Sequence, residues 1–341
     1  MKALPLAVGI LAISSSVLSQ SPVKQLLATP STVVWGYYWS QAHPILTVHS
    51  GDTVHMQTVS SCGPPSELIK AGVKEQDVPQ YYKDIYQEVK DRGPGGHILT
   101  GPVAIEEAEP GDVLEVQIQS ITIDTPYACN VFGPKSGFLP EDFPYSSYKI
   151  VPLDLDRNVA NFAKGIEIPL RPFFGSMGIA PPPAAGRIDS APPGEHAGNM
   201  DNKELVAGTI LFIPVHAKGA LFEVGDGHAG QGNGEVDITA LETFLSGTFK
   251  LVVHKDRHLD WPMAETPTSY ILMGFSPDLV QATKMAVRNT ITFLTTEKHL
   301  SRDEAYMLSS TAVDFDITEL VDGNVGVHAI VPKRLFVSST H

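Results

Sequence analysis

The stretch Ala220-Leu221-Phe222-Glu223-Val224-Gly225-Asp226-Gly227-His228-Ala229-Gly230-Gln231-Gly232-Asn233-Gly234-Glu235-Val236-Asp237 decides how this chain is read. An apolar run at residues 209–215 precedes it and a second, 220–224, opens it, both of the Val/Ile/Leu/Phe type that strands favour. Beyond them Asp226, His228, Glu235 and Asp237 are set apart mainly by glycines. Glycine folds backbone tightly and leaves room for a ligand, while carboxylates and imidazole bind metals or move protons. The stretch therefore reads as a reactive site written on a β scaffold. Gly225-Asp226-Gly227-His228-Ala229-Gly230 also fits Gly-x-Gly-x-x-Gly, the dinucleotide fingerprint. That reading is rejected, because Gly232 and Gly234 follow where the fingerprint needs a helix, at about 1 kcal/mol each relative to Ala.

Outward from this segment, residues 30–255 read as strand and turn. The chain's 27 prolines and 29 glycines punctuate short runs at 45–48, 53–59, 113–123, 209–215, 220–224, 236–244 and 248–254. Ser50-Gly51-Asp52-Thr53-Val54 and Pro110-Gly111-Asp112-Val113-Leu114 both set Gly-Asp ahead of an alternating run. The fold expected is mainly β, a jelly-roll-like sandwich or barrel body. Residues 126–202 carry many prolines and aromatics with little periodicity and read as long ordered loops. Near the C-terminus, Ser276-Pro277-Asp278 and the capping box Ser301-Arg302-Asp303-Glu304 predict helices over 277–298 and 301–312. Strands at 314–320 and 326–330 complete a small α+β unit. The organisation expected is a signal peptide at 1–20, an N-terminal β domain at 21–125, a central β domain with the reactive segment at 126–255, and the α+β unit at 256–341.

The 341 residues include 24 Lys plus Arg against 38 Asp plus Glu, a formal net charge of −14. That sign repels phosphate backbones and anionic lipid and no basic run offsets it, so neither nucleic acid nor membrane is an expected partner. A small neutral substrate suffers no such penalty. Met1-Lys2, the apolar run from Ala3 to Ile13, and small residues before a cut near Ser19 or Gln20 fit a signal peptide better than a span of about 20 apolar residues. The expected location is secreted or periplasmic. Cys62 and Cys129 are the chain's two cysteines, and an exported protein would join them if their Cα atoms lie within about 7 Å. The competing reading makes Cys62, in Ser60-Ser61-Cys62-Gly63-Pro64-Pro65, a nucleophile; no partner His or Lys is identifiable for it.

Two further segments place reactive groups on tight backbone. Gly93-Pro94-Gly95-Gly96-His97 holds one histidine in a bend, and Gly198-Asn199-Met200-Asp201-Asn202 sets polar groups on a loop feeding the central segment. For Asn199, Asp201 and Asn202, capping of a helix or strand is an equal reading. The sequence contains no His-Glu-x-x-His, Gly-x-Ser-x-Gly or Gly-Lys-[Ser/Thr], and the EF-hand template fails at His228 and Gly230.

Taken together, residues 93–102, 105–112, 168–178, 198–203 and 208–242 resemble the acetamidase/formamidase family. Val321-Asp322-Gly323 and Gly326-Val327-His328-Ala329 are similar to its C-terminal pattern. The resemblance implies a mainly-β fold and hydrolysis of the C–N bond of small linear amides, formamide or acetamide, to carboxylate and ammonia. It implies metal dependence too, and the N/O ligands on offer are His97, Asp201, Asp226, His228 and Glu242. Such a set suits Zn²⁺, or Mg²⁺ or Ca²⁺ if carboxylates and carbonyls dominate. Glu235, beside a strand carrying Asp237 and Glu242, is expected to be the general base, with Asp226 also catalytic and Asn199 and Gly227 on the substrate. His97, Asp226, His228 and Glu235 should share one cleft, His97 within about 12 Å of Asp226. Where the resemblance implies an acidic residue after the first Gly-Asp strand, this chain has Ser60-Ser61-Cys62-Gly63. A secreted binding module holding Ca²⁺ or a sugar, and a metal-free amidase using Cys62, stand as alternatives. The sequence leaves homo-oligomerisation and the choice of amide, linear or cyclic, open.

Overall fold

Short apolar runs pair edge to edge into two large sheets in the computed structural model, which describes residues 22–337. The expected signal peptide lies outside the described residues. The first sheet has nine strands, ordered Lys24–Leu26, Thr53–Gln57, Leu245–His254, Val113–Ile123, Ile210–Pro214, Met263–Glu265, Ser269–Ser276, Val325–Pro332 and Asp314–Glu319. The second runs Ala197–Asn199, Phe173–Gly178, Phe222–His228, Ile98–Ile105, Val33–Trp35, with Leu46–Val48 parallel to Ile98–Ile105. Val54, Met56, Leu114, Val116, Leu211 and Phe249 of the first share one buried core with Val103, Phe174, Met177, Phe222 and Val224 of the second. Each such side chain, taken out of water, contributes about 1.5–3 kcal/mol. The expected mainly-β sandwich is thus formed by the two Gly-Asp strands and the central segment packing together.

The helices are α1 (Pro65–Lys70), α2 (Gln80–Glu88), α3 (Leu279–Thr296) and α4 (Arg302–Ala312). The last two match the expected pair. Ser301 and Glu304 close the capping box on α4, while α3 is capped by Asp278, which accepts from the Gln281 N–H at 2.8 Å. Phe293, Leu294 and Ala305 cover Val113, Phe212, Met263 and Leu272 on the outer face of the nine-stranded sheet. The C-terminal strands extend that sheet across residue 255, since Met263–Glu265 pairs with Ile210–Pro214.

Three expectations are corrected. Residues 126–202 are not loops throughout: Ile166–Pro169, Val159–Ala163, Ser147–Asp154 and Tyr127–Phe132 form a four-stranded antiparallel sheet, whose Pro152 and Pro169 obscured the pattern. Residues 236–244 are not a strand. Glu235 and Ile238 adopt φ of 44° and 87°, left-handed values that break extended backbone, and Glu242 meets Cys129 and His228 by isolated bridges alone. Cys62 is not a free thiol; it is bonded to Cys129 with Cα atoms 5.9 Å apart, which removes the Cys62 nucleophile.

Candidate active site

The central strand Phe222–His228 carries both Asp226 and His228, and Asp226 takes φ of 55°, a left-handed conformation inside a strand that costs about 1–3 kcal/mol. Beside it, Phe173–Gly178 pairs with both Phe222–His228 and Ala197–Asn199, and Asp201 follows directly from the latter. Gly175 stands opposite the carboxylates: a methyl group there would overlap Asp201 Oδ1 and Asp226 Oδ2. Glu235 arrives on a loop held by the Gly234 N–H to the Thr318 carbonyl, 2.9 Å. Glu242 is set by its bridge to His228, and Asp322 by the turn after Asp314–Glu319.

His228 is the centre of the group. Gln231 Nε2 donates to the Asp201 carbonyl at 2.9 Å, so Gln231 Oε1 faces His228 Nδ1, also at 2.9 Å, and accepts its proton. His228 Nε2 then points between Asp226 Oδ2 and Glu242 Oε1, each 3.2 Å away, with Glu235 Oε1 at 4.0 Å. His97 Nε2 lies 4.0 Å from Asp226 Oδ2, far inside the expected limit, and its Nδ1 meets Ser190 Oγ at 3.1 Å. The expected approach of His97, Asp226, His228 and Glu235 is what the structure displays, and Asp201 and Glu242 lie beside them.

Burial pushes the Asp201 and Glu235 carboxyls well above the usual range and raises Glu242 and Asp322 too, with neighbouring carboxylates adding to it. Asp226 departs in the other direction. Burial opposes its charge, but His228, His97 and the Ser61 hydroxyl hold it ionised, below the usual range. For His228, burial is outweighed by Glu242 and Asp226, which raise it well above an ordinary imidazole.

Three buried atoms at this point, Asp201 Oδ1, Glu242 Oε2 and His228 Nε2, have no hydrogen-bond partner. Buried polar atoms in folded chains usually find a partner; elsewhere in this one Tyr38 Oη, His196 Nε2, Glu223 Oε2 and His328 Nε2 are among those that also lack one. Ligand atoms of Asp201, Asp226 and His228, of His228, Glu235 and Glu242, and of Asp201, Glu235 and Asp322 form triplets within 4.8 Å. Buried carboxylates gathered about one imidazole, with two of their oxygens unpartnered, are what a bound divalent cation would satisfy, so the group could hold a metal.

At the two expected substrate residues the structure shows contacts within the chain. Asn199 has its amide committed: Nδ2 donates to Asp201 Oδ2 at 2.7 Å and Asp322 Oδ2 at 3.2 Å, and Oδ1 accepts from Ser176 Oγ at 2.7 Å. It positions carboxylates. At Gly227 a side chain would collide with the Thr243 carbonyl and Leu245, so its glycine is a packing requirement. Asp237 accepts from Asn130 Nδ2 at 3.2 Å, outside the cluster. Sequence reasoning gave no role to Asp322, Gln231, Gly175 or Ser61, whose hydroxyl donates to Asp226 Oδ1. Val321-Asp322-Gly323, Gly175 and Gln231 did lie in the family-like segments, and Ser61 lies where the resemblance implies an acidic residue.

A sequence model of the Acetamidase/Formamidase family matches residues 38–185 and 184–338. The crystal structure of an acetamidase from Bacillus halodurans superposes with a TM-score of 0.77 at 27% identity, covering 92% of this chain and 98% of that one. An acetamidase structure from Yersinia enterocolitica gives 0.78 at 26%, over 94% and 96%. The formamidase of Methylophilus methylotrophus is 26% identical over 191 residues, 41% of this chain and 47% of that protein. The chain spans between 47% and 61% of the length of the curated relatives it matches. With the family's pattern running from residue 38 to 338 and the fold shared along nearly its whole length, this chain belongs to the acetamidase/formamidase family.

Proposed function

We propose that this chain hydrolyses the C–N bond of small linear amides to a carboxylate and ammonia, assisted by a divalent cation, Zn²⁺ by preference, at the His228 cluster. The observation that carries the reading is that ligand atoms of Asp201, Asp226 and His228, and of His228, Glu235 and Glu242, form two buried triplets within 4.8 Å that share His228. His228, Asp201, Asp226 and Glu242 would hold the ion, and with Nδ1 engaged by Gln231 the lone pair of neutral His228 sits on Nε2, the atom that faces the carboxylates. When bound, the cation supplies Lewis-acid polarisation of the amide carbonyl and acidifies water.

Amide hydrolysis also needs a proton taken from water and one delivered to nitrogen. Glu235, 7% exposed and made more basic by burial, takes the proton of the attacking water and returns it to the leaving nitrogen. The water oxygen bonds to the carbonyl carbon, the C–N bond breaks, and nitrogen leaves as ammonia. Ser61 and His97 orient Asp226, and Asn199 holds Asp201 against Asp322. Export through residues 1–20 belongs to the same reading, supported by the Cys62–Cys129 bond, which suits an oxidising compartment. N-terminal sequencing of secreted material should begin near Gln20 or Ser21; a start at Met1 removes the export reading. Activity is tested by incubating purified protein with acetamide and assaying ammonia. Release equal to acetate formed is expected, and binding without ammonia would favour the non-catalytic module.

A further inference from the structure

We infer that the acyl group of the substrate lies in the cleft that begins at Ser61, and that this chain acts on amides with a bulky apolar acyl group in preference to formamide. The inference rests on the amidase reading above and adds the substrate class. The cleft holds about 640 Å³ and is lined by Ser61, Pro64, Val131, Phe132, Tyr148 and Ile238, among others. It runs between α1 and the paired strands Tyr127–Phe132 and Ser147–Asp154. Ser61 belongs to both places: it lines the cleft, and its hydroxyl donates to Asp226 Oδ1 in the cluster. The opposite lip, Ile238 and Thr239, lies on the loop that carries Glu235 and Glu242.

The walls are built for apolar contact. Tyr148 spends its hydroxyl on the Cys62 carbonyl at 2.7 Å, and Thr239 spends its own on the Val131 carbonyl at 2.9 Å. The Cys62–Cys129 bond ties the cleft floor to the strand Tyr127–Phe132. At the rim Glu67 and Lys70 pair at 3.4 Å, which leaves no net charge to select an ionic acyl group. Apolar surface continues outward from Phe132, which packs edge-on with Phe143 and Tyr145 at 5.6 Å each, and these two are 44% and 54% exposed. The acyl substituent of formamide is a hydrogen atom and that of acetamide a methyl group. Neither fills a cleft in the roughly 300–1,000 Å³ range of ligand sites, and in such a pocket each added methylene changes kcat/KM by about 10- to 200-fold.

The test measures ammonia release from formamide, acetamide, hexanamide and phenylacetamide by the full chain supplied with Zn²⁺, in wild type and in Ala71→Trp and Ser147→Trp, substitutions at two cleft-lining residues. Expected is a wild-type kcat/KM for hexanamide and phenylacetamide at least 100-fold above formamide. Each tryptophan should lower kcat/KM for phenylacetamide tenfold or more and change that for acetamide less than twofold, acetamide turnover serving as the control for folding. Formamide or acetamide turned over best by wild type overturns the inference and leaves the amidase reading standing; so does an equal loss for every substrate in both variants. No ammonia from any of the four overturns both.

Discussion

Raising the pH of the chelator-treated protein should destabilise it, and a divalent cation should reverse the loss. Ligand oxygens of Asp201, Glu235 and Asp322 lie within 4.8 Å of one another. At an effective dielectric of about 20, two full charges at that separation repel by about 3.5 kcal/mol. Three such pairs come to about 10 kcal/mol, comparable with the whole stability of a domain, about 5–15 kcal/mol. The cluster must therefore keep protons or take a cation. Burial and mutual repulsion raise the folded-state values of Asp201, Glu235, Glu242 and Asp322, so the folded chain holds protons that the unfolded chain has released above about pH 4.5. Stability then falls as pH rises toward those raised values. His228 acts in the same direction: its contribution is complete below its ordinary value of 6.5 and is lost as pH climbs through its raised one. Asp226, held low, contributes the opposite slope only at acid pH, below the range of the assay. A cation at 1,000 times its Kd adds about 4 kcal/mol, and because it competes with these protons its benefit widens with pH. Urea unfolding followed by tryptophan fluorescence from pH 7 to 9, in EDTA and in Zn²⁺, measures both, above the range in which His196 and His328, held low by burial, add the opposite slope. A midpoint in EDTA that stays level or rises over this range, or a Zn²⁺ gain that does not grow with pH, would refute the reasoning.

Other outcomes follow from single contacts. Gly175→Ala pushes a methyl group against Asp201 Oδ1 and Asp226 Oδ2; it should cost about 1–3 kcal/mol by urea unfolding and weaken Zn²⁺ binding by calorimetry, and unchanged affinity would place the ion elsewhere. Asp226→Asn replaces a charged ligand by a neutral amide and should release metal on dialysis while the fold persists; metal retained with activity abolished would assign Asp226 the proton role instead. Cys62→Ser with Cys129→Ser removes a cross-link across 67 residues and should lower stability by about 2–4 kcal/mol, read as a fall in the urea midpoint.

The segment carrying Asp226, His228, Glu235 and Glu242 was legible because glycine beside carboxylate and imidazole is costly in an ordinary strand and has a chemical use. His97 and Asp201 could be attached to it by their similar settings, and sheet pairing brings them there. Conformation at the tip was not legible. The alternation at 236–244 suggested a strand, but left-handed φ at Glu235 and Ile238 turns it into a loop, a choice made by tertiary contacts such as Gly234 to Thr318. Pro152 hid the strand Ser147–Asp154, because proline is usually a sign against a ladder. Asn199 was seen as polar and near the site; that both its amide protons are spent on Asp201 and Asp322 depends on a residue 123 positions away. Ser61 is common serine on an irregular segment, and only the folded chain sets its hydroxyl on Asp226.

The central claim is that the His228 cluster hydrolyses amides with a bound cation while Glu235 moves the proton. It is tested most directly by ammonia release from phenylacetamide and acetamide by EDTA-dialysed protein, before and after Zn²⁺ is returned, in wild type and Glu235→Gln. Glutamine keeps the volume and hydrogen bonding of Glu235 and removes its basicity. The account predicts that activity disappears on dialysis and returns with about one equivalent of Zn²⁺, and that Glu235→Gln binds the ion equally but turns over at least about 10²-fold slower. Full activity in metal-free protein, or a Glu235→Gln variant as fast as wild type, would contradict it.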